Sequence, residues 1–283
     1  MASVSVGHGQ GAEYHLNPLH LLRHLWRQRD LIRQFTRREI EGRYRGSYLG
    51  LIWSFINPLI LLLIYTFVFG VVFQSRWPQA RSESLAEFAL VLFCGLIPFN
   101  LFSECVSRAP SIIIGVPNYV KKVVFPLEIL AVSSLGTGLF HALITLSVLL
   151  AVNLVVSGVV QWTLVLLPLV LLPLIFLSLG LGWLFASLGV FLRDIGYVVT
   201  LLVQVLFFIT PIFYPTEAIP EPFQTVIRYN PLTFVVDSSR AVVLWGKLPD
   251  WLSLGVWLLG SAVVMQLGYA WFMKTKKGFA DVI

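Results

Sequence analysis

Long uncharged runs dominate this chain. Residues 48–73, 85–107, 195–213 and 251–273 each come close to the roughly 20 apolar residues that a helix needs to cross about 30 Å of hydrocarbon. The charge-free stretch 129–192 is too long for one crossing, and its polar break at Asn153, Ser157, Gly158 and Gln161 reads as a turn between two. The pattern therefore predicts six spans, of which the second carries Glu87 and Glu104 near its ends. Ahead of the first span the period changes. Leu21, Leu22, Leu25, Ile32, Phe35, Ile40 and Tyr44 recur at mostly three- to five-residue steps among basic residues. That predicts an amphipathic helix, or two short ones, lying in a membrane interface.

Composition agrees. A chain of 283 residues that is 57% hydrophobic and 12% charged, with mean hydropathy +0.83, is no ordinary soluble domain. It reads as an all-α integral membrane protein. A net charge of +6 and a pI near 9.5 raise nucleic acid as a partner, but the placement of the basic residues points to membrane topology. With the N-terminus inside, the cytoplasmic segments hold 15 of the 20 lysines and arginines, and the outer loops keep Arg76, Arg81, Arg228, Arg240 and Lys247. Both termini are then cytoplasmic. Trp77, Trp162, Trp245 and Trp251 near outer ends, with Trp271 near an inner one, fit aromatic belts. The first 18 residues show no apolar core of a cleavable signal, so the first span is expected to act as the membrane signal. Cys94 and Cys105 read as small apolar residues in a helix. The expected organisation is a flexible segment 1–17, an amphipathic interface helix 18–46, a six-helix transmembrane domain 47–273 and a cytoplasmic tail 274–283.

Two connecting segments carry pattern of their own. Between Arg108 and Glu128, Pro110, Pro117 and Pro126 surround "NYVKK", which suits a short cytoplasmic helix between stops. Asn118 can cap it, Tyr119 offers a large contact, and Lys121 and Lys122 can pair with acidic groups of a partner. Between spans five and six, 223–229 and 232–244 are too charged to cross and too apolar to float in water, which predicts short re-entrant helices. Asp237 and Arg240, three apart, can pair there. Pro58 and Pro211 lie within spans and remove backbone donors, allowing bends. There is no G-x-x-x-x-G-K-[ST] stretch, so the chain is not expected to hydrolyse ATP, and it shows no metal-ligand set. Glu104, Glu128 and His141 stand singly in apolar surroundings. A proton-coupled carrier calls for a carboxylate at mid-membrane, and a membrane glycan-transferring enzyme calls for clustered Asp, Glu or His; neither pattern is strong.

Several stretches, in this order, resemble one family: "RREIEGRYRGSYLGLIWSFINPL" (37–59), "GLIPFNLFSECV" (95–106), "PNYVKKVVFPLEIL" (117–130), "FLRDIGYVV" (191–199), "FFITPIFYP" (207–215) and "YNPLT" (229–233). The chain is similar to the permease subunits of bacterial type-2 ABC exporters of polysaccharide, above all O-antigen exporters, with teichoic-acid exporters next. The resemblance implies a homodimer with a channel at its interface, two copies of a separate ATPase that bind ATP and magnesium, and no cofactor on this chain. Its cargo would be a lipid-linked polysaccharide. It implies that the 33–45 region, Arg37 and Arg38 included, docks the ATPase, that 115–124 is a coupling helix with Asn118, Tyr119, Lys121 and Lys122 as contacts, and that 216–246 forms outer gate helices. Arg193 and Asp194 pair with each other or touch the ATPase. Arg43 and Arg45 are placed to meet a lipid diphosphate or ordinary anionic lipid.

Pyranose rings pack their C–H faces on aromatic planes and present hydroxyls to polar edges. The candidates for such a path are Phe55, Tyr65, Phe69, Phe93, Phe99, Phe102, Phe207 and Phe208, with Asn57, Asn100, Gln204 and Thr210. The same span count also suits an exporter of a drug or other small amphiphile.

Overall fold

The computed structural model of the protein describes residues 18–74, 77, 84–121 and 125–283, and these form helices with no strand among them. Lys122 of the expected coupling segment lies outside the described residues.

Two helices precede the first span. Helices α1 (Pro18–Arg27) and α2 (Arg29–Tyr44) meet at Gln28, and α2 buries no residue completely. It lies along α6 (Ile129–Ser157), where the Thr36 hydroxyl donates to the Ser133 carbonyl at 3.4 Å. The first apolar helix runs Gly50–Val72. Its central part, α3 (Trp53–Tyr65), contains Pro58 and widens into a π-helical stretch Thr66–Val72. A proline inside a helix lacks its donor, and local rewinding re-satisfies the ladder.

Helix α4 (Leu85–Ile112) is the hub. In its most apolar window 72% of residues are buried, against 11% for the first helix, and it packs on α6, α7 (Leu167–Phe191), α8 (Ile195–Ile209) and α10 (Pro231–Arg240). It runs past Ser107, where the hydropathy pattern ends the span. The charged residues that stopped the pattern, Glu104 and Arg108, are paired and so are carried on the helix. After α4 comes the short α5 (Pro117–Lys121). The break expected near 153–161 is a turn: α6 ends at Gly158, in the left-handed region at φ 70°, and Asn153 donates to the Val159 carbonyl at 2.9 Å.

Five helices among the described residues are long and apolar enough to cross a membrane. Helix α8 is shorter. The apolar run that defines it continues to Phe213, but the residue before a proline avoids helical ψ, and Thr210, preceding Pro211, is extended at ψ 132°. The freed carbonyls at its end accept from the Tyr214 hydroxyl, at 2.6 Å for Phe208 and 3.2 Å for Ile209. Helices α9 (Glu221–Arg228) and α10 follow, and α10 runs into a π-turn Ala241–Trp245. Helix α11 (Trp251–Thr275) then returns along α7, and a short α12 (Phe279–Val282) closes the chain. The α7–α11 crossing is close because both helices put glycine there: a Cβ on Gly268 would overlap the Gly180 backbone.

Both ends of the described chain meet at one carboxylate. Glu128, 2% exposed, accepts from Lys276 Nζ and His24 Nε2, each at 2.7 Å, while its carbonyl accepts from Trp183 Nε1 at 2.9 Å. Burial pushes the Glu128 carboxyl up, but the Lys276 ammonium and the His24 hydrogen bond outweigh it and hold the group below the usual carboxylate range.

Candidate functional site

Four arrangements bear on function, and the first is a groove at the end of the bundle where the chain ends meet. There Tyr119 of α5 packs against Phe35 of α2 at 5.6 Å and Phe125 at 4.7 Å between ring centroids, and Arg38 donates to its hydroxyl at 3.2 Å. The groove beside them, about 340 Å³, is also lined by Glu39, Arg108 and Gly115. Glu39 and Arg108 form an ion pair that ties α2 to α4. Asn118 and Lys121 point into solvent, and Arg37 pairs with Glu41 along the exposed face of α2 at 2.6 Å. Arg193 and Asp194 are both exposed at the α7–α8 turn, and no ion pair joins them.

A second cavity, about 400 Å³, opens between α2, α3, α4 and α6. Its charged wall is a network that spacing along the chain did not reveal. Arg43 pairs with Glu104, and Glu104 also holds His141 Nδ1 at 2.9 Å. With that proton donated to the carboxylate, His141 Nε2 accepts from the Tyr44 hydroxyl at 2.9 Å. Trp53, Asn57 and Asn100 complete the opposite side. Arg43 is thus committed to a carboxylate. Arg45, at the C-cap of α2, is exposed.

The third is an aromatic array that joins the first span to α4 and α8. Phe207 lies 5.0 Å from Phe99, 5.1 Å from Phe213 and 5.4 Å from Phe208. Phe69 stacks on Phe213 at 4.3 Å, and Tyr65 meets Phe213 at 5.2 Å. Phe55, Gln204 and Phe208 are exposed on their helices. Phe93, Phe99 and Phe102 are buried inside the chain, where neighbouring helices cover their rings. Thr210 is buried as well and accepts from Asn230 Nδ2 at 3.2 Å.

At the far end of the bundle, Arg240, 0% exposed, anchors α10. Its guanidinium donates to the carbonyls of Val91, Pro211 and Ile212 at 3.1, 2.8 and 2.9 Å and to Asp237 Oδ1 at 3.1 Å. The Trp77 ring covers it at 4.2 Å. Gly95 makes room: a Cβ there would stand 2.5 Å from Nη2. The pattern placed Arg240 in an outer loop and allowed only its pairing with Asp237. The structure buries it because a five-donor fork finds carbonyls freed where α8 stops before Pro211.

A model of the ABC-2 type transporter family matches residues 30–244. The chain belongs to the ABC-2 type transporter family. It is 30% identical over 267 residues to the O-antigen export system permease protein RfbA of Myxococcus xanthus, which covers 94% of this chain and 100% of that protein. A protein of the same description from Klebsiella pneumoniae is 29% identical over 257 residues, 90% of this chain and 95% of the relative. The polysialic acid transport protein KpsM of Escherichia coli is 27% identical over 245 residues, 82% and 88% of the two chains. This ABC-2 permease is a multi-pass protein of the inner membrane. The family match begins in α2 and ends within the π-turn after α10, so Asn57, Asn100, Glu104, His141 and Arg240 all fall inside it.

Sequence reasoning missed the partners of Glu104 and Glu128. The usable signal was the oddity itself, since a carboxylate inside an apolar run demands a partner.

Proposed function

We propose that this chain is the membrane subunit of an ATP-driven exporter that moves lipid-linked polysaccharide across the inner membrane. Two copies surround the path, and two copies of a separate ABC ATPase supply the energy, with ATP and magnesium bound on that partner. The observation that carries the reading is similarity over nearly the whole chain to permeases named for O-antigen export, in a sequence without a nucleotide-binding motif of its own. In this arrangement α8 is the fifth of six spans and α11 the sixth, α9 and α10 dip in from the outside between them as gate helices, and both termini are cytoplasmic. The arginine-rich first helices and the lysine-rich tail favour that orientation.

The geometry supports a division of labour. Helix α5 and the exposed face of α2 receive the push of the ATPase, and the Tyr119–Phe35 contact lets both elements move together. Asn118, Lys121, Lys122, Arg37, Arg38, Arg193 and Asp194 are the contacts to that partner. Arg45, which has no carboxylate partner among the described residues, meets the lipid diphosphate, and Arg43 lends positive potential from its pair with Glu104. Along the path, Tyr65, Phe69 and Phe207 offer aromatic planes, and Asn57, Asn100 and Gln204 offer polar edges.

Export of a smaller amphiphile is the second reading. The unpartnered carboxamides facing the α2–α6 cavity favour a hydroxyl-rich cargo over an apolar one. Depleting the protein in its native cell and locating lipid-linked polysaccharide on either side of the inner membrane tests the choice. Accumulation inside is expected. Normal surface polysaccharide with no internal pool would overturn the polysaccharide reading.

A further inference from the structure

The cavity between α2, α3, α4 and α6 has a composition that the transport reading does not by itself require. Asn57 on the first span and Asn100 on the second both face it, and among the described residues neither side chain has a hydrogen-bond partner. Each sits within an apolar helix long enough to cross a membrane. Both are exposed on their helices, and a carboxamide on such an apolar helix, unmatched by protein, is open to water or to a ligand that both donates and accepts.

The rest of the wall narrows the ligand. Glu104 puts a carboxylate into the cavity, and Arg43 and His141 already hold it. A phosphate entering here would meet a negative charge whose cationic partners are taken, whereas sugar hydroxyls donate readily to a carboxylate. Trp53 adds an indole to the lining, more than a third exposed, of the kind that packs on the C–H face of a pyranose. At about 400 Å³ the space lies in the range of small-molecule sites, about 300–1,000 Å³, and far below what a folded polymer would need.

We infer that this cavity is a saccharide subsite that holds one neutral sugar ring through Asn57, Asn100 and Glu104, with Trp53 as its apolar platform. It rests on the polysaccharide reading and deepens it. The ring it takes is one close to the lipid anchor, because the cavity is bounded by α2, whose C-cap residue Arg45 is the exposed cation nearest in sequence to the cavity residues Arg43, Tyr44 and Ser47. Charge on the cargo is thereby divided: the diphosphate stays at the surface with Arg45, and the neutral ring enters beside Glu104.

The test uses the full chain in its native membrane. Ser47→Cys places a thiol at the exposed rim, while Cys94 and Cys105 are buried. Maleimide labelling of that thiol is expected to fall about tenfold in cells that make the lipid-linked polysaccharide, relative to cells blocked in its synthesis. In parallel, the Asn57→Ala, Asn100→Ala double variant is expected to lower surface polysaccharide about tenfold and raise the internal pool, as two lost neutral hydrogen bonds imply. Equal labelling in the two cell types, or no labelling in either, overturns the subsite. So does wild-type export by the double variant. Faster export by Glu104→Gln would assign the cavity to the diphosphate and overturn the sugar assignment. These failures are separable from failure of the transport reading. If depleting the wild-type chain leaves polysaccharide outside, that reading falls; if depletion traps it inside while labelling and the double variant are unaffected, the subsite alone falls.

Discussion

Two buried charges carry consequences at the scale of single residues. Arg240 satisfies three backbone carbonyls and one carboxylate from a fully buried position. Arg240→Ala removes that donor from all of them and is expected to destabilise the protein by about 3–5 kcal/mol, read as a lower thermal midpoint of detergent-solubilised protein. Arg240→Lys keeps the charge without the planar fork and is expected to fall between the two. An Arg240→Ala midpoint equal to wild type would contradict the anchor. Glu128 bears on pH. Its folded carboxyl lies below the ordinary value of 4.5, so its contribution is fully present above about pH 4.5 and is lost as pH falls through the folded pKa. Acidification below 4.5 is therefore expected to lower the wild-type midpoint more steeply than that of Glu128→Gln. Parallel pH profiles would mean that the links to Lys276 and His24 contribute nothing to stability. Neither residue announced itself in the sequence. For Arg240 the sequence offered only the pair with Asp237, and Glu128 read as an isolated carboxylate, because their other partners, Pro211 and Lys276 among them, lie 29 and 148 residues away along the chain and spacing arguments reach only a few residues.

Elements were more legible, since apolar period and proline punctuation act locally. The long apolar helices, the turn after Asn153 and a short helix at "PNYVK" all follow from the order of residues. What the pattern misplaced were ends. Helix α4 outran its apolar run because ion pairs carry its charges, and α8 fell short of its run because Pro211 dictates the conformation of Thr210. The α2–α5 contact was beyond reach. Tyr119 read as a surface offered to a partner, yet its ring packs on Phe35 and Phe125 within the chain. This changes what its removal should do. If α2 docks the ATPase as proposed, Tyr119→Ala is expected to leave the permease in the membrane and bound to that partner, while α5 no longer moves with α2. Export should drop about tenfold or more with ATP hydrolysis by the complex retained, measured as internal polysaccharide and phosphate release from the same membranes. If the ATPase fails to copurify, Tyr119 is a docking residue; if export is unchanged, the contact carries no force.

The whole molecule leaves one surface that a single copy does not explain. Helix α8 has 15 residues and so spans about 22 Å, less than the roughly 30 Å of hydrocarbon. Tyr197, Leu201, Val205 and Phe208 recur at three- and four-residue steps and all are exposed, Tyr197 at 80% and Phe208 at 65%, while Val199 and Val203 face inward. The first span is comparably bare, with Leu63 and Phe67 among its exposed residues. A short helix bordered by the aromatic array fits poorly in lipid alone. It fits better against a second copy whose α8 and first span enclose a path, where thinner apolar cover is an advantage because the interior is wet. The expectation is concrete. In a chain with Cys94 and Cys105 changed to Ala, a cysteine in place of Leu201 or Phe208 should crosslink two copies with a short bifunctional thiol reagent. A cysteine in place of Leu143, equally exposed on α6 at 62%, should not. Crosslinking at all three positions would indicate random collision. Crosslinking only at Leu143 would move the dimer contact to α6, and the path away from the aromatic array.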